Sequence, residues 1–168
     1  MAANVVDTST SEKPPAYIPA DRGEIIGVLL TGAIAGLLVG LLTEAIARWF
    51  IEPVFCRSTD SFAICANGGN IAFYAATVIV AILSVIALVR VGVFRPLLVA
   101  VAAAASLWGI KSYIDDFAWY EYGLWLMLLF ALTYLLFYWL LRARSFILSV
   151  IIALIAVIAI RWLLIINI

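Results

Sequence analysis

Five stretches of this chain are apolar over close to a full membrane thickness: residues 25–50, 71–89, 97–114, 124–141 and 146–168. A spanning helix needs about 20 mainly apolar residues to cross a hydrocarbon core of roughly 30 Å. Lipid offers no water to an open backbone group, so such stretches fold as helices rather than as strands with free edges. Each run is continuously apolar, which excludes the alternating pattern of a membrane β-barrel. Only 12% of residues are charged and 67% are hydrophobic, against about 25% charged in soluble domains. The expected fold class is therefore an all-α integral membrane protein, with five transmembrane helices in a single bundle. Residues 1–24 form a polar tail expected to be disordered and cytoplasmic, and residues 25–168 form the membrane domain. The first apolar run is much longer than the core of a cleaved signal, about 7–15 residues. A retained first span is expected.

Orientation follows lysine and arginine in short loops. A cytoplasmic N-terminus puts Lys13, Arg22, Arg90, Arg95, Arg142 and Arg144 inside, and Arg48, Arg57, Lys111 and Arg161 outside. The acids Glu52, Asp60, Asp115, Asp116 and Glu121 then gather on the outer side. The expectation is a multi-pass protein of the cell (inner or plasma) membrane, N-terminus inside and C-terminus outside. On that topology the polar interval 55–70, which holds Cys56 and Cys65, faces an oxidising compartment. Such a pair is read as a disulfide. Closing a loop of about ten residues stabilises by roughly 2–3 kcal/mol in the chain-entropy model; an inverted topology would leave two free thiols. The spacing is not the C-x-x-C of thiol oxidoreductases. Asn67-Gly68-Gly69-Asn70 reads as a sharp turn using positive φ at glycine. Trp49, Trp108, Trp119, Trp125 and Trp162 fall near one interface and Trp139 near the other, as aromatic belts do.

Several chemistries are excluded by what the chain lacks. It has no histidine, which removes the commonest general base and the usual haem and zinc ligands. Two cysteines cannot build a four-thiolate cluster, and no glycine loop suited to phosphate is present. No basic surface suits nucleic acid. No catalytic, cofactor or metal residues are assigned, and the chain is expected not to be an enzyme.

Charge near the membrane supplies the main candidate site. Glu44 and Arg48 stand at i and i+4 in the favourable order. Arg161 lies fifteen residues into the last run, about 22 Å along a helix. Lys111, Asp115 and Asp116 close the third run at the same level. Glu44, Arg48, Lys111, Asp115, Asp116 and Arg161 are thus expected to form an outer charged cluster. Ionisable groups in spans mark functional sites by default; the alternative is structural pairing with long side chains snorkelling to the interface.

Gly32, Gly36 and Gly40 repeat every four residues in the first run, a glycine zipper that lets another helix approach closely. The expected partner is the third run, through Ala102, Ser106 and Gly109; the alternative is a second copy or another subunit. Mid-depth polar residues are few and uncharged, and no helix break of the transporter kind is expected, with Pro53 and Pro96 outside helices or at their starts. In the tail, Pro14-Pro15-Ala16-Tyr17 matches a WW-domain ligand pattern, with a plain linker as the alternative. The function expected is that of a non-enzymatic accessory or scaffold subunit of a larger membrane assembly. Its partners would be the lipid bilayer and other membrane subunits, or further copies of itself. A small oligomeric channel or carrier is the alternative, and a lipid-acting enzyme using Asp115 or Asp116 a third.

Overall fold

The computed structural model describes residues 21–56, 65–114, 118–142 and 145–166. The first twenty residues with the Pro14–Tyr17 motif, and Arg57, Asp60, Asp115, Asp116 and Arg144, lie outside the described residues. Among those described, every regular element is helical. Helix α1 is a rod of 34 residues, Arg22–Phe55. It is α-helical over Arg22–Ile46, π-helical over Ala47–Ile51 and α-helical again over Glu52–Phe55. The others are α2 (Gly68–Val91), α3 (Pro96–Ser106), α4 (Lys111–Ile114), α5 (Trp119–Leu140) and α6 (Phe146–Ile166). Four of them, α1, α2, α5 and α6, are long and apolar enough to cross a membrane. The chain is a helical membrane protein on that basis.

The single helix expected over 97–114 is not there. Helix α3 has 11 residues, about 16 Å at 1.5 Å per residue, half of a hydrocarbon core. The chain then bends and resumes as α4. Gly109 causes the bend by taking the left-handed conformation, φ 86°, which glycine adopts without steric penalty. Around it Leu107 N–H donates to the Ala103 carbonyl, and Ile110 N–H to the Leu107 carbonyl, each at 3.1 Å. Trp108 swings onto Tyr74, the two rings stacked at 4.6 Å. A helix break is therefore present within this run, contrary to expectation.

Two other local readings are corrected. Pro53 sits inside the α1 rod, one residue into its last α-helical turn. A mid-helix proline removes a donor and crowds the carbonyl four residues back. The π-helical stretch just upstream absorbs this, with Glu52 N–H bonding to the Ala47 carbonyl five residues back. Gly68 and Gly69 do not form a positive-φ turn either; both lie in the first turn of α2. Their small size serves close approach. A Cβ on Gly68 would stand 2.8 Å from Ile51 Cγ2, and one on Gly69 would stand 3.3 Å from Lys111 Cε.

Helix α1 packs chiefly against α5 and α2, and α3 sits among α2, α5 and α6. Contacts identify the two ends of the bundle. At one end Tyr138 Oη donates to Glu24 at 2.6 Å. There too a Cβ on Gly27 would meet Val91 at 2.6 Å, and Arg95 reaches Ser145 and Ser149 at the start of α6. At the other end Ile51 meets Gly68, Lys111 meets Gly69, and the Tyr122 ring lies beside Gly40. The disulfide belongs to this second end: Cys56 and Cys65 are joined, with Cα atoms 5.3 Å apart. Trp49, Trp125 and Trp162 are exposed on its side and Trp139 towards the first end.

The glycine stripe is used inside the chain, and its neighbour is α5 rather than the 97–114 segment. A Cβ on Gly32 would stand 2.8 Å from Ala131 Cα, and one on Gly36 2.9 Å from Met127 Cα. The core beside it is filled by Val28, Val39, Phe73, Tyr134 and Phe137, none more than 1% exposed.

Candidate functional site

The expected charged cluster divides in two. Glu44 and Arg48 form an ion pair at 2.5 Å across one turn of α1, both side chains largely exposed. Arg48 lies in the π-helical stretch, a local geometry enriched at functional sites. Lys111 stands at the head of α4 and folds over the first turn of α2, where its Nζ would be 3.4 Å from a Cβ on Gly69. These three share one cleft between α1 and α5, about 660 Å³ in volume. Arg161 is not with them. Its Nε donates to the Ala105 carbonyl at 3.2 Å, one residue from the end of α3. The expected grouping of Arg161 with Glu44, Arg48 and Lys111 is replaced by this contact with α3. Asp115 and Asp116 lie outside the described residues.

The cleft has a polar end and an apolar end. Glu44, Arg48, Lys111 and Tyr120 stand at the first, and Leu37 and Met127 at the second. Gly40 and Gly123 line its middle. Among the described residues nothing lies within 4 Å of where a Cβ on Gly123 would be. A volume of this size falls within the roughly 300–1,000 Å³ of small-molecule sites. Chemically the walls offer cationic donors, one carboxylate, aromatic edges and an aliphatic slot, a set that suits an amphiphile.

Comparison with known proteins finds no family model that matches the chain, no matching curated protein and no matching solved structure. The site is therefore read from its own residues. Among the described residues no group of three or more acids and cysteines could hold a metal ion.

At mid-depth the polar side chains are turned inward on their own helices. Thr31, Thr77, Ser106 and Thr133 each donate to the carbonyl four residues back, at 2.6–2.8 Å. Ser84 and Tyr134 lie 2.7 Å apart, tying α2 to α5 in the buried core. Each hydroxyl of Thr31, Thr77, Ser106 and Thr133 spends its donor on the backbone of its own helix.

Three further contacts were missed from sequence. Tyr138 to Glu24 closes α5 on α1, and Arg142 lies 5.6 Å over the Tyr138 ring. Arg95 itself takes a left-handed φ of 62°, uncommon without glycine. It is held there by bonds to α6 and by the Phe94 and Phe146 rings at 4.6 and 5.2 Å. The only sequence sign was an arginine directly before Pro96, where the preceding residue is restricted.

Proposed function

We propose that the chain is a five-span, non-enzymatic membrane protein that acts as an accessory or scaffold subunit of a larger membrane assembly. In this reading the N-terminus is cytoplasmic, the C-terminus lies outside and the membrane is the cell (inner or plasma) membrane. The fifth crossing is made by α3 and α4 together. The support for it is that α3 starts just after the end of α2, while Lys111 reaches back to Gly69 at the other end of α2.

One observation carries the functional reading. The mid-depth hydroxyls of Thr77, Ser106 and Thr133 are bonded within their own helices, and the space between helices is filled by apolar side chains. A transport pathway needs water and polar groups at mid-depth. What the molecule offers instead is outward surface. Helix α6 is the least covered of the four long helices, with 11% of its apolar window buried inside the chain. Leu154, Ile155 and Ile158 all face outward from it. An apolar helix fastened to its own chain mainly through α3 is well suited to packing against the span of another subunit.

The break between α3 and α4 favours a second reading, an oligomeric channel or carrier, since interrupted helices line many transport sites. Cysteines placed singly at Thr77, Ser106 and Thr133 separate the two. In membranes, a charged water-soluble thiol reagent is expected to leave all three unlabelled while labelling a control cysteine at Arg48. Labelling at any two of the mid-depth positions would transfer the assignment to transport.

A further inference from the structure

We propose that Arg161 is met in the membrane by a carboxylate on a transmembrane helix of another subunit, which packs along α6. This rests on the subunit role proposed above and names the chemistry of the partner. Depth is the first reason. Arg161 Nε is tied to the Ala105 carbonyl, and Ala105 is nine residues past Pro96, the first residue of α3. That is about 14 Å of helix, near the middle of a hydrocarbon core of roughly 30 Å. Helix α6 agrees with this level. It starts at the same end as α3, where Arg95 reaches Ser145 and Ser149. Arg161 lies fifteen residues past Phe146, about 22 Å, and a helical side chain leans back towards the N-terminus of its own helix. A guanidinium held there does not reach the headgroups as a snorkelling arginine does.

Charge is the second reason. A guanidinium has five N–H donors, and among the described residues only the Nε bond to Ala105 engages Arg161. Glu24 is bonded to Tyr138 at the first end of the bundle, and Glu44 is paired with Arg48 across α1. The end of α3 presents about half a negative charge, which leaves the rest of the arginine's charge uncompensated. Ionised groups at such depth are matched by opposite ones. Asp115 and Asp116 lie outside the described residues, and their variants form one arm of the test.

Access is the third reason. Arg161 and Ala105 are both half-buried, at the rim of the seam between α3 and α6. Leu154, Ile158 and Arg161 follow one another at spacings of four and three, so they share one stripe of α6. Leu154 and Ile158 face outward. A span laid on that stripe meets the remaining N–H groups of the guanidinium. A carboxylate takes two of them in parallel, the geometry that a guanidinium fits best. An amide side chain accepts through one oxygen and brings no charge.

The test uses the full chain in its own membrane, with a photo-crosslinker at Ile158, one turn from Arg161. The expected adduct joins it to a transmembrane span that carries an Asp or Glu within one turn of the linked residue. Changing that acid to Asn or Gln, with this chain left native, is expected to lower the partner retained in mild detergent about tenfold. Arg161→Gln is expected to match that loss, and Arg161→Lys to retain most of the partner. Asp115→Asn with Asp116→Asn is expected to leave retention unchanged; a tenfold loss there would assign the counter-charge to this chain and overturn the proposal. A linked span without an acid at that level overturns it too, as does retention that neutralising the acid leaves unchanged. An adduct with lipid alone, while native mass spectrometry still shows a heteromer, overturns the pairing and leaves the subunit role standing. A chain with no other protein by either measurement removes both.

Discussion

Gly36→Leu is expected to cost the bundle at least about 3 kcal/mol, the upper part of the range for overpacking. A Cβ at residue 36 would meet the backbone of α5, standing 2.7 Å from the Leu126 carbonyl carbon and 2.9 Å from Met127 Cα. Backbone cannot rotate out of the way as a side chain can. Helices α1 and α5 must therefore separate, and the cavity this opens adds to the penalty. Gly40 provides the internal control. Its Cβ would meet Leu126 Cδ1 at 3.3 Å, the movable end of a flexible side chain. Gly40→Ala is expected to change stability by less than about 1 kcal/mol. Thermal melts in detergent measure both. Equal melting of Gly36→Leu and the native chain would mean that α5 does not lie on this face.

Arg161→Leu is expected to lower stability by about 2 kcal/mol and to loosen α6 selectively. Helix α3 ends at Ser106, so the Ala105 carbonyl has no N–H partner further along the helix. The Arg161 guanidinium supplies one. An acceptor left without a donor in a partly buried site costs about 1–3 kcal/mol, more where lipid excludes water. The cation also complements the negative end of α3, worth roughly 0.3–1 kcal/mol. Leucine regains part of this by removing a charge from the apolar region. The net loss should appear as faster amide exchange over 146–166, with α1, α2 and α5 unchanged. Arg161→Lys keeps the charge and should recover part of the protection. Unaltered exchange in Arg161→Leu would show that the Ala105 bond does not hold α6.

Much of the fold was legible because one physical requirement dominates it. Lipid forces backbone groups to bond internally, so hydropathy alone located α2, α5 and α6 to within a few residues of 71–89, 124–141 and 146–168. The Cys56–Cys65 bond followed from two thiols in one polar interval. The 97–114 run was misread because Gly109 serves equally well as a smooth helix surface or as a left-handed stop, and hydropathy does not distinguish them. Gly68 and Gly69 were misread for the converse reason, their smallness being needed by Ile51 and Lys111 and not by φ. The partner of the Gly32, Gly36 and Gly40 stripe was also beyond reach. Helices apolar all round give no periodic signal of which face meets which neighbour.

The candidate site was legible in part. Glu44 and Arg48 were paired by spacing, and Lys111 was placed at the same depth; all three line the cleft. Arg161 was drawn into the cluster by its position along the last run, while its hydrogen-bond partner is a backbone carbonyl next to the break after α3. Gly123 carried no signal at all. Its significance is empty space between two helices, which no single stretch of sequence encodes.

The subunit role is tested most directly by native mass spectrometry of the chain, extracted from its own membrane in mild detergent without overexpression. The account predicts a heteromer of defined stoichiometry in which this chain is one component. It also predicts that a photo-crosslinker at Ile158, outward on α6, joins it to that same component. A lone monomer, or a homo-oligomer with no other protein, would contradict the account.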